Sequence, residues 1–447
     1  MIGDEETKQC IVIDPIRHVS QFLMIAETFD LVITQILETH VHADFVSGSK
    51  ELKYQLGNKP TICCSGMGGE AWIPSYADRI IKDQDEVRVG SVRLVALATP
   101  GHTPEHLMWI CYDETRSQTT PWFVFSGDCL FAGSVGRPDL LGADELDSLS
   151  QQLYQSLFST LSAFPDFLEV LPAHSAGSLC GKALSGYSSS TLGYERQFNP
   201  YLAALPQKEW EQRLMQGLGP FPPYFKKMKE INVQGPPLLN TLETVSITDE
   251  ELLGRSELVL VDVRLPEQYS QYHFPGTINI PFTSSFIYWA GWLLPIKSSV
   301  ALILPDDKNI YRIAEQLRLI GFDETIFTYI WDEKKLGGKP YDSFSLISVA
   351  DLIERQKGGA EETFVLDVRT TSEWDQGHIP DAHHYELNTL YDKMHEIPED
   401  VFIATVCRSG YRGSTAASLL KKYGFTNVAN VKGGFQAWKQ AALPIVN

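Results

Sequence analysis

The stretch ILETHVHADFVSG (Ile36–Gly48) sets His40, His42 and Asp44 at alternating positions, directly before Phe45. The apolar run LVITQIL, which overlaps its start, has the length and composition of a buried strand. Residues at alternating positions do not share one face of a helix. The spacing therefore predicts a tight loop after a strand, which turns several metal-binding side chains toward one point.

Three further loops carry residues of the same kind. His102 lies in TPGHTPEH, Asp128 in FSGDCLF and His174 in LPAHSAG, each near glycine or proline. The apolar stretches VRLVALATP and WFVFSG beside them are typical of strands. Because sites mounted on a sheet gather residues from the loops at strand ends, we expect these side chains to converge on one metal centre.

These motifs, in this order, resemble the metallo-β-lactamase-fold hydrolases, especially the glyoxalase II branch and the related persulfide dioxygenases. The resemblance implies an αββα sandwich with the metal at one edge. It extends to GSVGRPDL (Gly133–Leu140) and SSSTLGYERQFNP (Ser188–Pro200), which are similar to the dioxygenase branch. Arg137 and Arg196 in these segments are candidates for binding an anionic group of the substrate, since guanidinium pairs bidentately with carboxylate or phosphate. A structural or surface role is the alternative for each.

In the two-metal members of this family a histidine stands where the chain has Phe45, so a tightly held second metal is not expected. The persulfide dioxygenases imply one Fe(II) held by His40, His102 and Asp128. Such a triad of two histidines and one carboxylate leaves room for a persulfide sulfur and O₂. The remaining candidates would then orient ligands or handle protons: His42, Asp44 and His174.

A hydrolase arrangement is the alternative for the same loops. Here His40, His42 and His102 would hold one Zn²⁺ with an activated water. The missing histidine and the domains downstream favour iron over zinc. Cys180, in GSLCGKALSG, follows the His174 loop closely. Both a structural role and a role in the chemistry stay open for it.

A second type of site lies near the end of the chain. TVCRSGYRGS places Cys407 after an apolar strand and before the helix STAASLLKKYGF, with Arg408 and Arg412 close by. Backbone N–H groups, a helix N-terminus and two arginines are suited to a thiolate or a cysteine persulfide. The loop, together with LDVRTTSEWDQGHIPDA and VKGGFQAW, resembles the rhodanese sulfurtransferases. Its C-x₄-R spacing is shorter than the C-x₅-R loop of rhodanese-fold phosphatases, which implies sulfane sulfur as the cargo.

The rhodanese-like pattern occurs twice, at Leu258–Pro281 and Thr363–Glu386. Each copy alternates apolar strands with loops before an amphipathic helix, which predicts a mainly parallel sheet covered by helices. In the first copy, Leu304 of LPDDKN stands where the second copy has Cys407. The first copy is therefore predicted to be catalytically silent, with a role in packing or in holding the other domains in register. A regulatory or oligomer contact is the alternative.

The predicted fold class is multidomain α/β and α+β. The predicted domains are 1–235 (metallo-β-lactamase-like dioxygenase), 240–338 (silent rhodanese-like copy) and 342–447 (active rhodanese sulfurtransferase). The first of these ends in GPFPPYFKKMKEINVQGPP (Gly219–Pro237), whose prolines predict an extended linker.

Bulk composition limits the functional classes. Of the 447 residues, 43% are hydrophobic and 21% charged, which is ordinary for a globular protein of several domains. Acidic residues outnumber basic ones by 56 to 37, giving a net charge of −19. This field repels phosphate backbones and anionic lipid, so neither nucleic-acid nor membrane partners are expected. With no visible secretory signal and seven cysteines without framework spacing, we expect a cytoplasmic protein with free thiols.

The domain order resembles the bacterial persulfide dioxygenase–sulfurtransferase fusions of sulfide detoxification. It implies a non-heme enzyme with one Fe(II) per chain that oxidises low-molecular-weight thiol persulfides with O₂ to sulfite. Sulfane sulfur would pass through Cys407 to give thiosulfate. The expected partners are the persulfide, O₂, sulfite and further copies of the chain in a homo-oligomer. Two other interpretations are a glyoxalase II-like zinc thioester hydrolase fused to a rhodanese, and a sulfur-relay scaffold with a vestigial metal site.

Overall fold

The computed structural model describes residues 1–175, 178–182, 184–216, 218–240, 242–335, 341–358 and 362–447. They divide into two units, residues 1–239 with 318–321 and residues 240–317 with 322–447. Both rhodanese-like copies belong to the second unit, apart from residues 318–321 of the first copy. The predicted domain boundaries stay predictions, and the one at residue 338 lies outside the described residues.

The first unit contains two main sheets. The strands of its first sheet are β1 (Ile2–Asp4), β2 (Gln9–Ile13), β3 (Val32–Leu37), β4 (Thr61–Ser65) and β5 (Arg79–Ile81). They pair in chain order, with β1 antiparallel to β2 and the other pairs parallel. The other strands of this unit are β6 (Glu86–Val89), β7 (Val92–Ala98), β8 (Leu107–Asp113), β9 (Phe123–Gly127), β10 (Leu130–Phe131), β11 (Ser134–Val135), β12 (Glu169–Pro172) and β13 (Ser190–Thr191). The second sheet has the order β13-β12-β9-β8-β7-β6, and β10 pairs separately with β11.

The helices of the first unit are α1 (Ser20–Thr28), α2 (Ser49–Gln55), α3 (Ala143–Gln155), α4 (Leu192–Phe198), α5 (Gln207–Met215) and α6 (Phe225–Gln234). Short 3₁₀ turns lie at Glu70–Trp72 and Leu161–Ala163, and a π-helical turn lies at Ser156–Thr160.

Alternating side chains explain how the two sheets pack. In β2, Ile11 belongs to the apolar cluster between the sheets, whereas Cys10 and Val12 belong to the cluster beneath α1 and α2. In β8, Trp109 lies between the sheets, whereas Ile110 packs with side chains of α3, α4 and α5. Successive strand residues point to opposite faces, so each sheet buries both faces. The predicted αββα sandwich is confirmed.

The segment Gly219–Pro237 differs from its prediction. Its centre is the helix α6, which buries Phe225, Met228 and Asn232. The prediction of an extended linker is wrong there because the prolines flank the helix rather than interrupt it. Proline is compatible with the approach to a helix and with the residues beyond its end.

The second unit contains two sheets of one topology. Its strands are β14 (Thr244–Ser246), β15 (Val259–Asp262), β16 (Ile278–Asn279), β17 (Val300–Leu304), β18 (Ile326–Ile330), β19 (Ser345–Ile347), β20 (Thr363–Asp367), β21 (His383–His384), β22 (Phe402–Val406) and β23 (Val428–Val431). The orders are β14-β18-β17-β15-β16 and β19-β23-β22-β20-β21. All pairs in both sheets are parallel. The prediction of two copies with mainly parallel sheets is confirmed.

The helices of this unit are α7 (Asp249–Gly254), α8 (Pro266–Tyr269), α9 (Phe286–Leu293), α10 (Ile310–Leu319), α11 (Val349–Gly358), α12 (Thr371–Trp374), α13 (Leu390–Lys393), α14 (Tyr411–Lys422) and α15 (Gly434–Gln440). Short 3₁₀ turns lie at Glu333–Lys335 and Met394–Glu396. Within the part of the chain that the structure describes, no helix combines the length and apolarity needed to cross a bilayer. The cytoplasmic location stays a prediction.

Candidate metal centre and thiol loop

The predicted metal-binding residues lie in loops that follow strands of both sheets in the first unit. His40 follows β3, His102 lies between β7 and β8, Asp128 follows β9, and His174 follows β12. The sharp turn before Asp128 requires glycine, because Gly127 has φ +52° and a Cβ there would lie 2.5 Å from Nε2 of His106.

His40, His102 and Asp128 form a compact cluster. Oδ2 of Asp128 lies 3.4 Å from Nε2 of His102 and 3.7 Å from Nε2 of His40. These three side chains are buried, and these atoms have no hydrogen-bond partner among the described residues. Buried polar atoms without partners are costly, so their convergence points to a bound cation. Two imidazoles and one carboxylate form the donor set of a non-heme iron triad.

Both histidines are held with Nε2 free to bind a metal. Nδ1 of His102 lies 2.9 Å from the carbonyl oxygen of Arg137, so Nδ1 carries the proton and donates it. Thr39 Oγ1 donates to Asp14 Oδ2 at 2.8 Å and therefore accepts from Nδ1 of His40 at 2.9 Å. Burial lowers the pKa of both His40 and His102. Both rings are thus neutral and offer an Nε2 lone pair, as ligation requires.

His174 and Asp44 lie on the other side of the same carboxylate. Nε2 of His174 is 3.4 Å from Oδ1 of Asp128 and 3.3 Å from Oδ2 of Asp44. Burial alone would lower the pKa of His174, but the charges of Asp128 and Asp44 outweigh it and raise that pKa. Cys180 is buried close enough to Asp128 and His174 for all three to reach one cation. Burial raises the pKa of its thiol well above the usual value.

His42 has different neighbours from His40. Its Nε2 lies 3.2 Å from Oδ1 of Asp14 and 3.3 Å from Oε2 of Glu38. Burial would lower the pKa of His42, but Asp14 and Glu38 outweigh it and raise that pKa well above its usual value. The Phe45 ring stacks on the His42 ring at 4.2 Å between centroids. The candidate ligand groups place His42 with Asp14 and Glu38, or with Asp44 and His174, which favours the triad of His40, His102 and Asp128 over three histidines.

His106 belongs to the site although the sequence analysis did not select it. Its Nε2 accepts a hydrogen bond from the backbone N–H of Asp128 at 3.0 Å, so its Nδ1 carries the proton toward Thr99 Oγ1 at 2.9 Å. Burial lowers the pKa of His106 to about 3, which keeps the ring neutral. His106 therefore fixes the backbone that carries Asp128. Its position in TPGHTPEH, four residues after His102, was the available signal.

Asn232 and Glu105 hold the backbone of the loop that carries His42. Asn232 of α6 donates through Nδ2 to the carbonyl oxygens of His42 at 2.8 Å and Phe45 at 2.9 Å. Its Oδ1 accepts from the N–H of Ser47 at 2.9 Å. Glu105 accepts from the N–H of Val41 at 2.7 Å, and burial raises its pKa to about 7. The segment predicted as a linker is thus part of the support of the metal centre.

The two arginines predicted to bind substrate have internal partners. The buried Arg137 pairs with both carboxylate oxygens of Asp139 at 2.7 Å and donates to the carbonyl oxygen of Gly219 at 2.9 Å. Arg196 pairs with Asp166 and donates to the carbonyl oxygen of Leu161 at 2.7 Å. These contacts match the structural alternative, and substrate binding by either arginine stays a prediction.

The thiol of Cys407 lies in a loop between β22 and α14. Its Sγ accepts a hydrogen bond from the backbone N–H of Gly410 at 3.0 Å, and the residue is buried. Its backbone oxygen accepts from the N–H of Phe435 at 2.7 Å. The N-terminus of α14 follows at Tyr411. The loop therefore offers a donor and a helix N-terminus to a sulfur anion, as expected.

Of the two nearby arginines, Arg412 is partly buried and Arg408 is exposed. Arg412 donates to both carboxylate oxygens of Glu373 at 2.7 and 2.8 Å. Burial would lower the pKa of Arg412, but Glu373 and Cys407 outweigh it and raise that pKa. Arg412 thus places a fixed positive charge near the sulfur. Arg408 faces solvent, where an incoming anion would first meet it.

The first rhodanese-like copy has the same frame without the thiol. Asp262 aligns with Ile303 across β15 and β17, and Asp367 aligns with Val406 across β20 and β22. The next residues along the chain are Leu304 and Cys407, so Leu304 occupies the position of the thiol, as predicted. The Asp–Arg pairs also match, since Arg264 binds Asp262 and Arg369 binds Asp367 through the same atoms.

Comparison with known proteins separates the same two parts. Residues 2–174 match the family model of the metallo-beta-lactamase superfamily, and residues 348–441 match that of the rhodanese-like domain. A mitochondrial persulfide dioxygenase of Homo sapiens is 27% identical over 203 residues, 45% of this chain and 70% of that protein. A sulfurtransferase of Allochromatium vinosum is 35% identical over 97 residues, 22% of this chain and 91% of that protein. A hydroxyacylglutathione hydrolase of Photobacterium profundum is 28% identical over 226 residues, 50% of this chain and 76% of that protein.

A solved structure extends the likeness to most of the chain. The crystal structure of a metallo-beta-lactamase from Staphylococcus aureus is 32% identical, with a TM-score of 0.66. The match covers 73% of this chain and 93% of the Staphylococcus aureus chain. The chain therefore belongs to the metallo-β-lactamase superfamily and carries a rhodanese-like domain at residues 348–441.

Proposed function

We propose that the first unit is a non-heme Fe(II) persulfide dioxygenase and that the second rhodanese-like copy is a thiosulfate-forming sulfurtransferase. One observation carries the first half: the buried, unpartnered Nε2 atoms of His40 and His102 converge on the unpartnered carboxylate of Asp128. The similarity to persulfide dioxygenases and to a sulfurtransferase supports both halves. The homo-oligomer stays a prediction.

His40, His102 and Asp128 would hold the iron. Iron(II), when bound, would supply open coordination positions for a persulfide sulfur and O₂. Thr39 and the Arg137 carbonyl fix the two imidazoles, and His106 fixes the backbone of Asp128. His174, paired with Asp44, can hold a proton next to the carboxylate. The overall reaction is RSSH + O₂ + H₂O → RSH + SO₃²⁻ + 2 H⁺.

Cys407 would perform the transfer in two balanced steps. In the first, its thiolate attacks the terminal sulfur of RSSH, the S–S bond of the donor breaks, and RSH leaves with the proton. In the second, sulfite attacks the terminal sulfur of the Cys407 persulfide, which releases thiosulfate and restores the thiolate. The Gly410 N–H stabilises the anionic sulfur, and Arg412, held by Glu373, attracts the anionic acceptor.

Metal analysis followed by O₂ uptake tests the dioxygenase. Protein loaded with iron under anaerobic conditions should consume O₂ only when glutathione persulfide is added. His102→Ala and Asp128→Ala should lose both iron and O₂ uptake, whereas His395→Ala, at an exposed histidine, should keep both. Persulfide-dependent O₂ uptake that survives His102→Ala and Asp128→Ala would contradict this assignment.

The transfer of sulfane sulfur to the sulfite that the first unit would form has its own test. With glutathione persulfide and O₂, Cys407→Ser should accumulate sulfite in place of thiosulfate while O₂ uptake stays at the level of the unmodified chain. Unchanged thiosulfate output from Cys407→Ser would contradict the proposed transfer.

A zinc thioester hydrolase fused to a rhodanese is the second candidate. The similarity to hydroxyacylglutathione hydrolases favours it, as does the proximity of three imidazoles. The His40 ring centroid lies 4.3 Å from that of His42 and 5.1 Å from that of His102. Near-stoichiometric zinc with hydrolysis of a glutathione thioester, and no O₂ uptake with persulfide, would support this candidate over the dioxygenase.

A further inference from the structure

The helix that follows the Cys407 loop is buried on more than one side. All residues of α14 from Gly413 to Leu420 are buried. The helix packs on β22 and β23 of its own sheet and on β16 of the first copy. A helix buried this way must satisfy the polar side chains on each face that it buries.

Two serines on the side of α14 that meets the first copy need such partners. Ser414 and Ser418 are four residues apart and thus share one face of the helix. Both are fully buried. Ser414 Oγ donates to Oδ1 of Asn279 at 2.6 Å, and Ser418 Oγ accepts from the backbone N–H of Asn279 at 2.9 Å. Asn279, in β16 of the first copy, therefore binds the helix at two points.

The remaining donors of Asn279 anchor it in its own sheet. Its Nδ2 donates to the carbonyl oxygens of Asp262 at 2.9 Å and Arg264 at 3.0 Å. The residue is fully buried. The aligned residue of the second copy is His384, whose Nε2 lies 2.8 Å from the carbonyl oxygen of Arg369. An amide has donors and an acceptor, so Asn279 can hold its own loop and the neighbouring helix together.

The contact lies close to the reacting sulfur. Ser414 is in the first turn of α14, four residues after Gly410, whose N–H donates to Sγ of Cys407. Arg412 lies two residues before Ser414 and pairs with Glu373. A small displacement of α14 would therefore move both the N–H donor and the positive charge relative to the sulfur.

We propose that Asn279 is a positioning residue for the Cys407 loop, and that the silent copy serves sulfur transfer by fixing the start of α14. This role rests on the proposed sulfurtransferase activity of Cys407. The silent copy is then a working part of the transfer site that supplies no nucleophile. Because hydrogen-bond strength falls steeply with distance and angle, the alignment of the Gly410 N–H with the sulfur depends on this support.

The test compares Asn279→Ala with a matched variant of the same copy. Thr277→Val removes a buried hydroxyl that bonds to Tyr269 and Phe274, and so perturbs the first copy without touching α14. The full chain is assayed with thiosulfate as sulfur donor and cyanide as acceptor, and kcat and KM are separated. Alkylation of Cys407 by iodoacetamide is measured in parallel, with Cys407→Ser as the blank. Urea unfolding reports whether each variant is folded.

Asn279→Ala should lower kcat by about 10-fold or more with little change in KM, since a small misplacement of a reacting group costs up to about 100-fold. Alkylation of Cys407 should slow as well, whereas Thr277→Val should keep both rates. If Asn279→Ala does not fold, Ser414→Ala and Ser418→Ala decide the question, because each removes one hydroxyl from a helix that accepts alanine. The proposal would be overturned if a folded Asn279→Ala transferred sulfur and was alkylated at the rates of the unmodified chain. Where Asn279→Ala does not fold, unchanged rates in both serine variants would overturn it. Losses of rate in Thr277→Val equal to those in Asn279→Ala would overturn it as well. If the unmodified chain transfers no sulfur, the proposed function fails, and the alkylation contrast alone decides the role of Asn279.

Discussion

The ring of Phe45 stacks on the ring of His42, with centroids 4.2 Å apart and planes inclined by 27°. The phenyl ring also lies 6.3 Å from the ring of His174, centroid to centroid, and offers no nitrogen ligand for a second metal ion. Phe45→His should raise the metal content from about one to about two ions per chain after loading with zinc, because a closed zinc site uses about four ligands. Mass-spectrometric metal analysis measures this. Phe45→Leu, which removes the ring without adding a ligand, should stay at one ion, and a single ion in Phe45→His would contradict the prediction.

His106 should control metal affinity although it is placed outside the triad. Its Nε2 holds the N–H of Asp128, so His106→Ala leaves that N–H without its partner and frees the carboxylate to turn away. Losing a group that orients a ligand typically costs about 10–100-fold in metal affinity. Competition with a chromogenic iron(II) chelator measures the change. His395→Ala is the control, and an unchanged affinity in His106→Ala would refute a positioning role for His106.

The pair of Glu373 and Arg412 should make the second copy sensitive to acid. Burial would raise the pKa of Glu373, but Arg412 outweighs it and holds that pKa below its usual value. A folded-state pKa below the unfolded value means that the stabilisation is complete above about pH 4.3 and is lost as the pH falls through the folded-state pKa. Glu373→Gln should thus lower the free energy of unfolding by about 1–3 kcal/mol at neutral pH, and the difference should shrink on acidification.

Urea denaturation at neutral pH and at successively lower pH measures this difference. Glu267→Gln, at an exposed glutamate of the first copy, is the control and should differ little from the unmodified chain at any pH. If the free energies of unfolding of Glu373→Gln and the unmodified chain differed by the same amount across the acid range, the ion pair would not be the source of the difference.

Gly434 lies against the backbone of the thiol loop. It has φ +53°, and a Cβ there would lie 2.1 Å from the backbone oxygen of Cys407. Gly424 also has a positive φ, +97°, but no atom lies within 4 Å of its would-be Cβ. Gly424→Ala should cost about 1–2 kcal/mol from backbone strain alone. Gly434→Ala should cost about 1–3 kcal/mol more from the overlap and should also reduce sulfur transfer. Urea denaturation measures the loss of stability, and the thiosulfate–cyanide assay measures the loss of sulfur transfer. Equal losses in Gly424→Ala and Gly434→Ala would contradict a close approach of Gly434 to the thiol loop.

The sequence was sufficient to predict those residues whose role follows from the pattern of their neighbours in the chain. His40, His102 and Asp128 each lie in a loop at the end of a strand, and the packing of the two sheets brings these loops together. The Asp–Arg motifs at Asp262 and Asp367 likewise predicted two copies of one fold, because each motif ends a buried parallel strand. Leu304 could be set against Cys407 for the same reason.

Residues that act across long separations could not be found in this way. Asn232 holds a loop 190 positions earlier, and the prolines around α6 hid the helix that carries it. Asp14 supports His40 through Thr39, but an isolated aspartate after a short strand has no recognisable pattern. Asn279 binds Ser414 over 135 positions, and although both residues lie in stretches with a recognisable pattern, neither pattern links one residue to the other. These contacts are set by packing between elements, which propensity and spacing do not encode.

The burial of the Cys407 sulfur limits which reagents can reach it. Cys407 is only 1% exposed, and all seven cysteines are buried and unpaired. Because so little of this sulfur meets solvent, we expect it to react more slowly with a thiol on another macromolecule than with a slender small-molecule donor. Exchange with bulky disulfides, and cross-linking of two copies through this residue, should be slow for the same reason. Burial of this kind would let a thiol react with small donors without being trapped covalently by larger thiols.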